Sequence, residues 1–232
     1  MNPITASLDK IRQRIAQAEA RFGREPGSVT LLAVSKTQPV QAVSDAMDAG
    51  QEDFGENQLQ DALTKLEPLS GRKASWHFIG PVQANKTRAI ATHFDWVHSL
   101  DRARIAERLN EHREGAKSPL NVCIQVNISA QESKSGVSIS AAEGLVELVS
   151  TLPNLRLRGL MAIPEPCSDF EQQCEALRPL PELRTALQGK GYALDTLSMG
   201  MTADLDAAIA QGSTIVRIGT AIFGPRRTPI PQ

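Results

Sequence analysis

The chain has 232 residues, 41% of them hydrophobic and 22% charged, with a formal net charge of −1. That length can bury a single sizeable core, and charges mixed along it leave no basic field for nucleic acid and no polybasic run for anionic lipid. No run of about 18 apolar residues and no basic-then-apolar leader occurs, and Cys123, Cys167 and Cys174 are an odd count without CxxC spacing; the expectation is a cytoplasmic protein with reduced thiols and no membrane span, disulfide framework or metal site.

Asn2-Pro3 predicts a capped helix start, and Ile4, Leu8, Ile11, Ile15 and Phe22 then recur along one amphipathic face. Short β-branched or aromatic runs follow at 30–35, 52–54, 76–79, 96–99, 122–127, 155–163, 196–199 and 214–218. Between them, 40–49, 58–66, 85–92, 103–112, 140–151, 169–187 and 203–210 are long enough to be crossover helices. The alternation predicts an α/β fold, a single (β/α)8 TIM barrel over residues 1–232 with an extra N-terminal helix. An open doubly wound sheet would share the alternation, but its Gly-rich turn is missing: the first strand runs into Ser35-Lys36-Thr37-Gln38-Pro39. Polar loops are expected at 129–136 and 164–168, and a mobile tail at 224–232.

Lys36 closes the apolar run Thr30-Leu31-Leu32-Ala33-Val34-Ser35. Strand alternation puts it on the side of Leu32 and Val34, so it projects into the barrel mouth if that face is the inner one. Desolvated and near another cation, such an amine becomes a nucleophile for an aldehyde; the plain alternative is a strand-end lysine reaching solvent. Ser198-Met199-Gly200-Met201-Thr202 follows the seventh strand and Gly219-Thr220 closes the eighth. Those are the loops where barrels commonly hold a phosphate, through backbone N–H groups and a helix N-terminus. Both glycines would equally serve tight turns.

Arg217 lies inside Ile215-Val216-Arg217-Ile218, where a charge needs a partner. It points either into the barrel toward a pyridine nitrogen or into an ion pair with Glu56 or Asp195. In the first case the nitrogen stays unprotonated and carbanion chemistry is blunted. Amine, phosphate cradle and arginine together point to pyridoxal phosphate. Asn57 and Asn127 are candidates for contacts to the ring oxygen. His77 reads as a hydrogen-bonded core histidine, and Lys134 either as a solvated loop residue or as a transient landing point for the aldehyde.

These segments, with Phe54-Gly55-Glu56-Asn57, His77-Phe78-Ile79-Gly80, Gln83-Ala84-Asn85-Lys86, Lys134-Ser135-Gly136 and Arg158-Gly159-Leu160-Met161 in the same order, resemble the pyridoxal phosphate homeostasis protein family, alanine-racemase-like barrels, from about residue 30 to 225. The resemblance implies a cofactor lysine at Lys36, phosphate contacts from Ser198, Met199, Gly200, Gly219 and Thr220, and a pyridine-facing Arg217. It further implies a monomer. Family members often carry tyrosine where this chain has Phe54 and Gln58, so no hydroxyl acts there.

Two-base racemisation needs an acid/base opposite the lysine. The one tyrosine, Tyr192, precedes the seventh strand, at the far end of a barrel from its active mouth. The expectation is therefore a non-catalytic carrier that holds pyridoxal 5'-phosphate as a Schiff base on Lys36, in intracellular vitamin B6 and amino-acid balance, with pyridoxal-phosphate-dependent apo-enzymes as possible partners. The alternatives are a weak amino-acid racemase using His77 or a cysteine as second base, and a cofactor-free aldolase using Lys36.

Overall fold

A computed structural model describes residues 2–129, 131 and 134–225; the tail predicted at 224–232 lies outside them from residue 226 onward. Eight parallel strands close into a barrel in chain order: β1 Thr30–Val34, β2 Asp53–Glu56, β3 Ser75–Phe78, β4 Trp96–Leu100, β5 Leu120–Gln125, β6 Leu155–Met161, β7 Thr196–Ser198 and β8 Ile215–Ile218. β1 pairs with both β2 and β8, with Leu32 beside Arg217. Each predicted strand exists, although the observed ends shift by one to two residues at most sites.

The helices are α1 Pro3–Arg21, α2 Val40–Asp48, α3 Leu59–Leu66, α4 Thr87–His93, α5 Ala103–His112, α6 Ile139–Ser150, α7 Phe170–Leu177, α8 Pro179–Gly189, α9 Leu205–Ala210 and α10 Thr220–Phe223. The stretch expected as one helix over 169–187 is two, because Pro179 brings no N–H to continue α7 and instead occupies the first turn of α8. The helix after β8 has only four residues. The N-terminal helix compensates: capped by the Asn2 side chain on the Ile4 N–H, α1 buries Leu8, Ile11, Ile15 and Ala18 and packs on α2, α9 and α10. It closes the helical ring where the eighth crossover is too short to do so.

Strand alternation divides the buried residues into two layers. Outward-facing Leu31, Ala33, Phe54, Phe78, Val97, Val122, Ile124, Leu197 and Val216 join the helices in one continuous apolar cluster. Leu32, Cys123, Met161 and Ile215 are equally buried but lie apart from it, inside the barrel. There they share the space with polar groups, among them His77, His98, Ser198 and Arg217. The described helices include none long and apolar enough to cross a membrane.

Candidate functional site at the carboxyl mouth of the barrel

A cavity of about 360 Å³ opens at the carboxyl ends of the strands, lined by Val34 of β1 and Lys36 just beyond it, by Asn57 just after β2, and by Arg217 of β8 with Gly219 and Thr220 that follow it. Its size lies within the usual range for small-molecule sites. Gln38, Ile79, Gly80, Pro81, Thr202 and Gly224 complete much of the wall. Ile163 and Met201 line it as well, and they are two of the three large hydrophobic side chains that stand exposed among the described residues. Two uncovered apolar side chains at a cavity rim suit a flat ring better than they suit water.

The turn that carries Lys36 is held from behind. Thr37 has φ 62°, a left-handed backbone that a β-branched residue adopts only under constraint. Its N–H donates to Asp61 Oδ2 at 2.8 Å. Lys65 Nζ donates to the Ser35 carbonyl at 2.8 Å, to Glu56 Oε1 at 2.7 Å and to Asp61 Oδ2 at 2.9 Å, while the Ser35 hydroxyl donates to Glu56 Oε1 at 2.6 Å. Burial pushes the Glu56 carboxyl upward, and the Lys65 ammonium and the Ser35 hydroxyl oppose that rise. A buried cation between two carboxylates thus pins both residues that flank Lys36.

Arg217 is 5% exposed and donates Nη1–H to the Ser198 carbonyl and hydroxyl, at 2.5 and 2.8 Å, and Nη2–H to the Ala162 carbonyl at 2.9 Å. The alternative of an ion pair with Glu56 or Asp195 is not what the structure has among the described residues: Glu56 is bound to Lys65 and Asp195 to Arg158. Carbonyl oxygens suffice because they solvate a guanidinium without neutralising it. Burial lowers Arg217 to about 10, with the carboxylate of Asp204 opposing, so it remains a cation and a donor at neutral pH. Bonds to described residues commit three of its five N–H groups, which leaves two, among the described residues, on a side chain that lines the cavity.

The residues expected at the phosphate end separate into two groups. Thr220 and Gly219 line the cavity, as does Thr202; Ser198, Met199 and Gly200 are not among the lining residues. Ser198 Oγ is fully buried between Arg217 and His98. Met199 is sealed in the apolar layer, and Gly200, at φ 95°, lies where an added Cβ would collide with that of Ala208. The expected helix N-terminus contributes little, since α9 and α10 are six and four residues long and the Met201 N–H is taken by Asp204 Oδ1 at 2.7 Å.

Asn57 lines the cavity, whereas Asn127 turns to the Gln131 carbonyl and Lys134 stands exposed in the same loop, outside the wall. His77 is a core histidine, 1% exposed and bonded to His98 and Asp53. Gln38, Ile79 and Pro81 escaped the sequence reading. Their signal was only that each follows a strand, the position that faces a barrel mouth.

The alanine racemase N-terminal domain profile matches residues 6–227. The pyridoxal phosphate homeostasis protein of Pseudomonas aeruginosa is 54% identical over 226 residues, covering 97% of each chain. That of Escherichia coli K12 is 50% identical over 229 residues, covering 97% of this chain and 98% of its own. The structure of PipY from Synechococcus elongatus with PLP bound superposes with a TM-score of 0.79 at 33% identity, over 90% of this chain and all of PipY.

Proposed function

This chain belongs to the pyridoxal phosphate homeostasis protein family, and on that premise we propose that it binds pyridoxal 5'-phosphate without turnover, with Lys36 as the amine that receives the aldehyde. When bound, the cofactor supplies an aldehyde that condenses with a primary amine, forming C=N and releasing water. The observation that carries the reading is the pairing of Lys36 and Arg217 in one cavity wall. The amine would supply the covalent anchor, and the Arg217 N–H bonds not used by described residues would donate to an acceptor such as a pyridine nitrogen. Thr202 and Thr220 offer hydroxyls and Gly219 a backbone N–H to the phosphate, Asn57 an amide to the ring oxygen, and Ile163 and Met201 apolar cover to the ring faces. Ser198, Met199 and Gly200 act from beneath, by shaping this wall and holding Arg217.

The same wall supports a reading without turnover. Among its described residues, Lys36 and Arg217 are the titratable ones, and a guanidinium is a poor proton acceptor. His77, proposed by sequence as a second base, is sealed in the barrel, and burial pushes the Cys123 thiol up to about 12. A single acid/base suits a protein that holds a reactive aldehyde and yields it to apo-enzymes that depend on it.

The test is the visible spectrum of the purified protein before and after borohydride, with mass spectrometry of the Lys36 peptide. A yellow band bleached into a pyridoxyl adduct on Lys36, absent in Lys36→Ala, is expected. No cofactor uptake, or solvent deuterium appearing at an amino-acid α-carbon faster than with free cofactor, would overturn the binding or the non-catalytic half of the reading respectively.

A further inference from the structure

Inside the barrel a file of polar side chains runs from one mouth to the other. Asp53 Oδ1 lies 3.1 Å from His77 Nε2, His77 Nδ1 2.9 Å from His98 Nε2, His98 Nδ1 2.7 Å from Ser198 Oγ, and Ser198 Oγ 2.8 Å from Arg217 Nη1. Four strands contribute to it, β2, β3, β4 and β7, and it ends on β8. Asp53 opens the first residue of β2 and lines a second cleft of about 460 Å³ with Arg12, Glu19 and Gln51, at the amino end of the barrel. The far terminus, Arg217, lines the cavity that holds Lys36.

We infer that Asp53 is a positioning residue for Arg217, acting across the barrel through a one-way hydrogen-bond chain of His77, His98 and Ser198. The inference rests on the reading of Arg217 as the residue that faces the cofactor ring.

The direction follows from the two ends. A guanidinium only donates, so Ser198 Oγ accepts from Arg217; an ionised carboxylate only accepts, so His77 donates from Nε2. A neutral imidazole carries one N–H, which leaves His77 Nδ1 to accept from His98 Nε2–H. His98 Nδ1 is then an acceptor, and the Ser198 hydroxyl donates to it. Every proton has an acceptor, and both ends impose the same order. The Ser75 hydroxyl oxygen, 3.0 Å from His77 Nε2, shares the last proton.

The opposite order fails inside a sealed barrel. With a proton on Nδ1 of both histidines, Ser198 Oγ would accept from His98 and Arg217 together and its own proton would lose the imidazole acceptor, while the Nε2 lone pair of His77 would face the Asp53 carboxylate. His98 is fully buried, and burial, then the neighbouring His77 and Arg217, push its imidazolium well below the ordinary range, in keeping with a neutral ring. The other charged and titratable groups around the two rings are accounted for. Trp96 stacks on His77 at 5.3 Å, and Arg158, over the Trp96 ring at 4.7 Å, is paired with Asp195. The Cys123 thiol stays protonated.

Hydrogen bonds that all point one way polarise each other. The carboxylate at one mouth therefore strengthens the grip of Ser198 on Arg217 at the other, and fixes which two guanidinium N–H bonds remain for the cavity.

Two measurements separate this inference from the cofactor reading. The first uses cofactor-free protein labelled with 15N-histidine, in which two-bond proton–nitrogen correlations report the tautomer of each ring; His93→Gln and His112→Gln remove the other two histidines. Both remaining rings should carry their proton on Nε2, and a proton on Nδ1 of either overturns the proposal whatever the protein binds. The second is a double-mutant cycle on pyridoxal phosphate affinity, with Asp53→Ala and Ser198→Ala. Asp53→Ala should weaken binding by about tenfold in the wild-type background and by less than about twofold once Ser198→Ala has cut the chain. Additive losses, or no loss on Asp53→Ala in a protein that does take up the cofactor, would sink the relay; failure of uptake in the wild type would sink the cofactor reading and leave the tautomer result standing.

Discussion

Lys65 Nζ sits 2.7 Å from Glu56 Oε1, with side chains 1% and 0% exposed, on the outer side of the strand whose inner side forms the site. The second Glu56 oxygen is buried without a hydrogen-bond partner among the described residues, and its partner oxygen is held by Lys65 and Ser35. Removing one member of such a pair leaves a buried charge uncompensated, at a cost of about 3–5 kcal/mol. Lys65→Met should lower the stability measured by urea unfolding by about that amount. Glu56→Leu added to Lys65→Met should recover more than half of it. Because Lys65 also holds the Ser35 carbonyl and steadies Asp61 beneath Thr37, the double variant should regain stability while binding at Lys36 stays weakened.

Gly200 tests whether the loop after β7 is shaped by packing or by contact with a ligand. Its φ is 95°, and a Cβ there would strike the Ala208 methyl. Backbone strain of about 1–2 kcal/mol and overpacking of about 1–3 kcal/mol should both appear in Gly200→Ala. Pairing it with Ala208→Gly should remove the overpacking part alone. If unfolding curves show the two substitutions to be additive, the contact with Ala208 is not what excludes a side chain.

The barrel and two of its chemical groups were legible in sequence because each rests on a local rule. Period-two alternation places Lys36 and Arg217 on the inner face, and the end of a parallel strand places them at the mouth. Glu56 obeys the same parity and points outward, which excludes the ion pair with Arg217. Lys65 gave no such signal. It reads as an ordinary Asp61–Lys65 pair one helical turn apart, and only the packing of α3 against β2, which brings Lys65 to Glu56 and to the Ser35 carbonyl beyond β1, turns it into a buried cation. His98 and Ser198 are 100 residues apart in the chain and meet only because closure of the barrel brings the inner faces of β4 and β7 together. The division of 169–187 into two helices was legible at Pro179 and was missed.

His98 also governs acid stability. In the unfolded chain its imidazole titrates near 6.5, whereas burial in the fold holds it well below that value. The unfolded state therefore binds more protons as pH falls, and the contribution is fully present above about pH 6.5 and lost progressively below it. Each unit in that window costs up to about 1.4 kcal/mol. Urea unfolding at pH 7.5, 6.5 and 5.5 should show the decline. His98→Asn should be less stable at pH 7.5 but show a shallower decline, and an unchanged slope would mean that His98 takes up its proton in the folded protein.

Cys123 and Cys167 should behave as different reagents. Cys123 is fully buried inside the barrel, and burial raises its thiol from 9.0 to about 12, against the opposing influence of Arg158. Since thiolate is the reactive form, Cys123 should resist iodoacetamide at pH 8.5, as should buried Cys174, whose thiol is also raised by burial. Cys167 is partly exposed and should react. Intact mass should show one adduct on the native protein and three after unfolding in urea. The same shift has a sign for stability: a thiol that ionises more readily in the unfolded chain stabilises the fold below about pH 9, and that contribution is lost as pH rises from 9 toward 12. Replacing Cys123 by alanine should therefore lower stability at neutral pH by leaving a small void, yet flatten the decline on the alkaline side. An alkaline decline as steep as that of the wild type would assign the loss to groups other than Cys123.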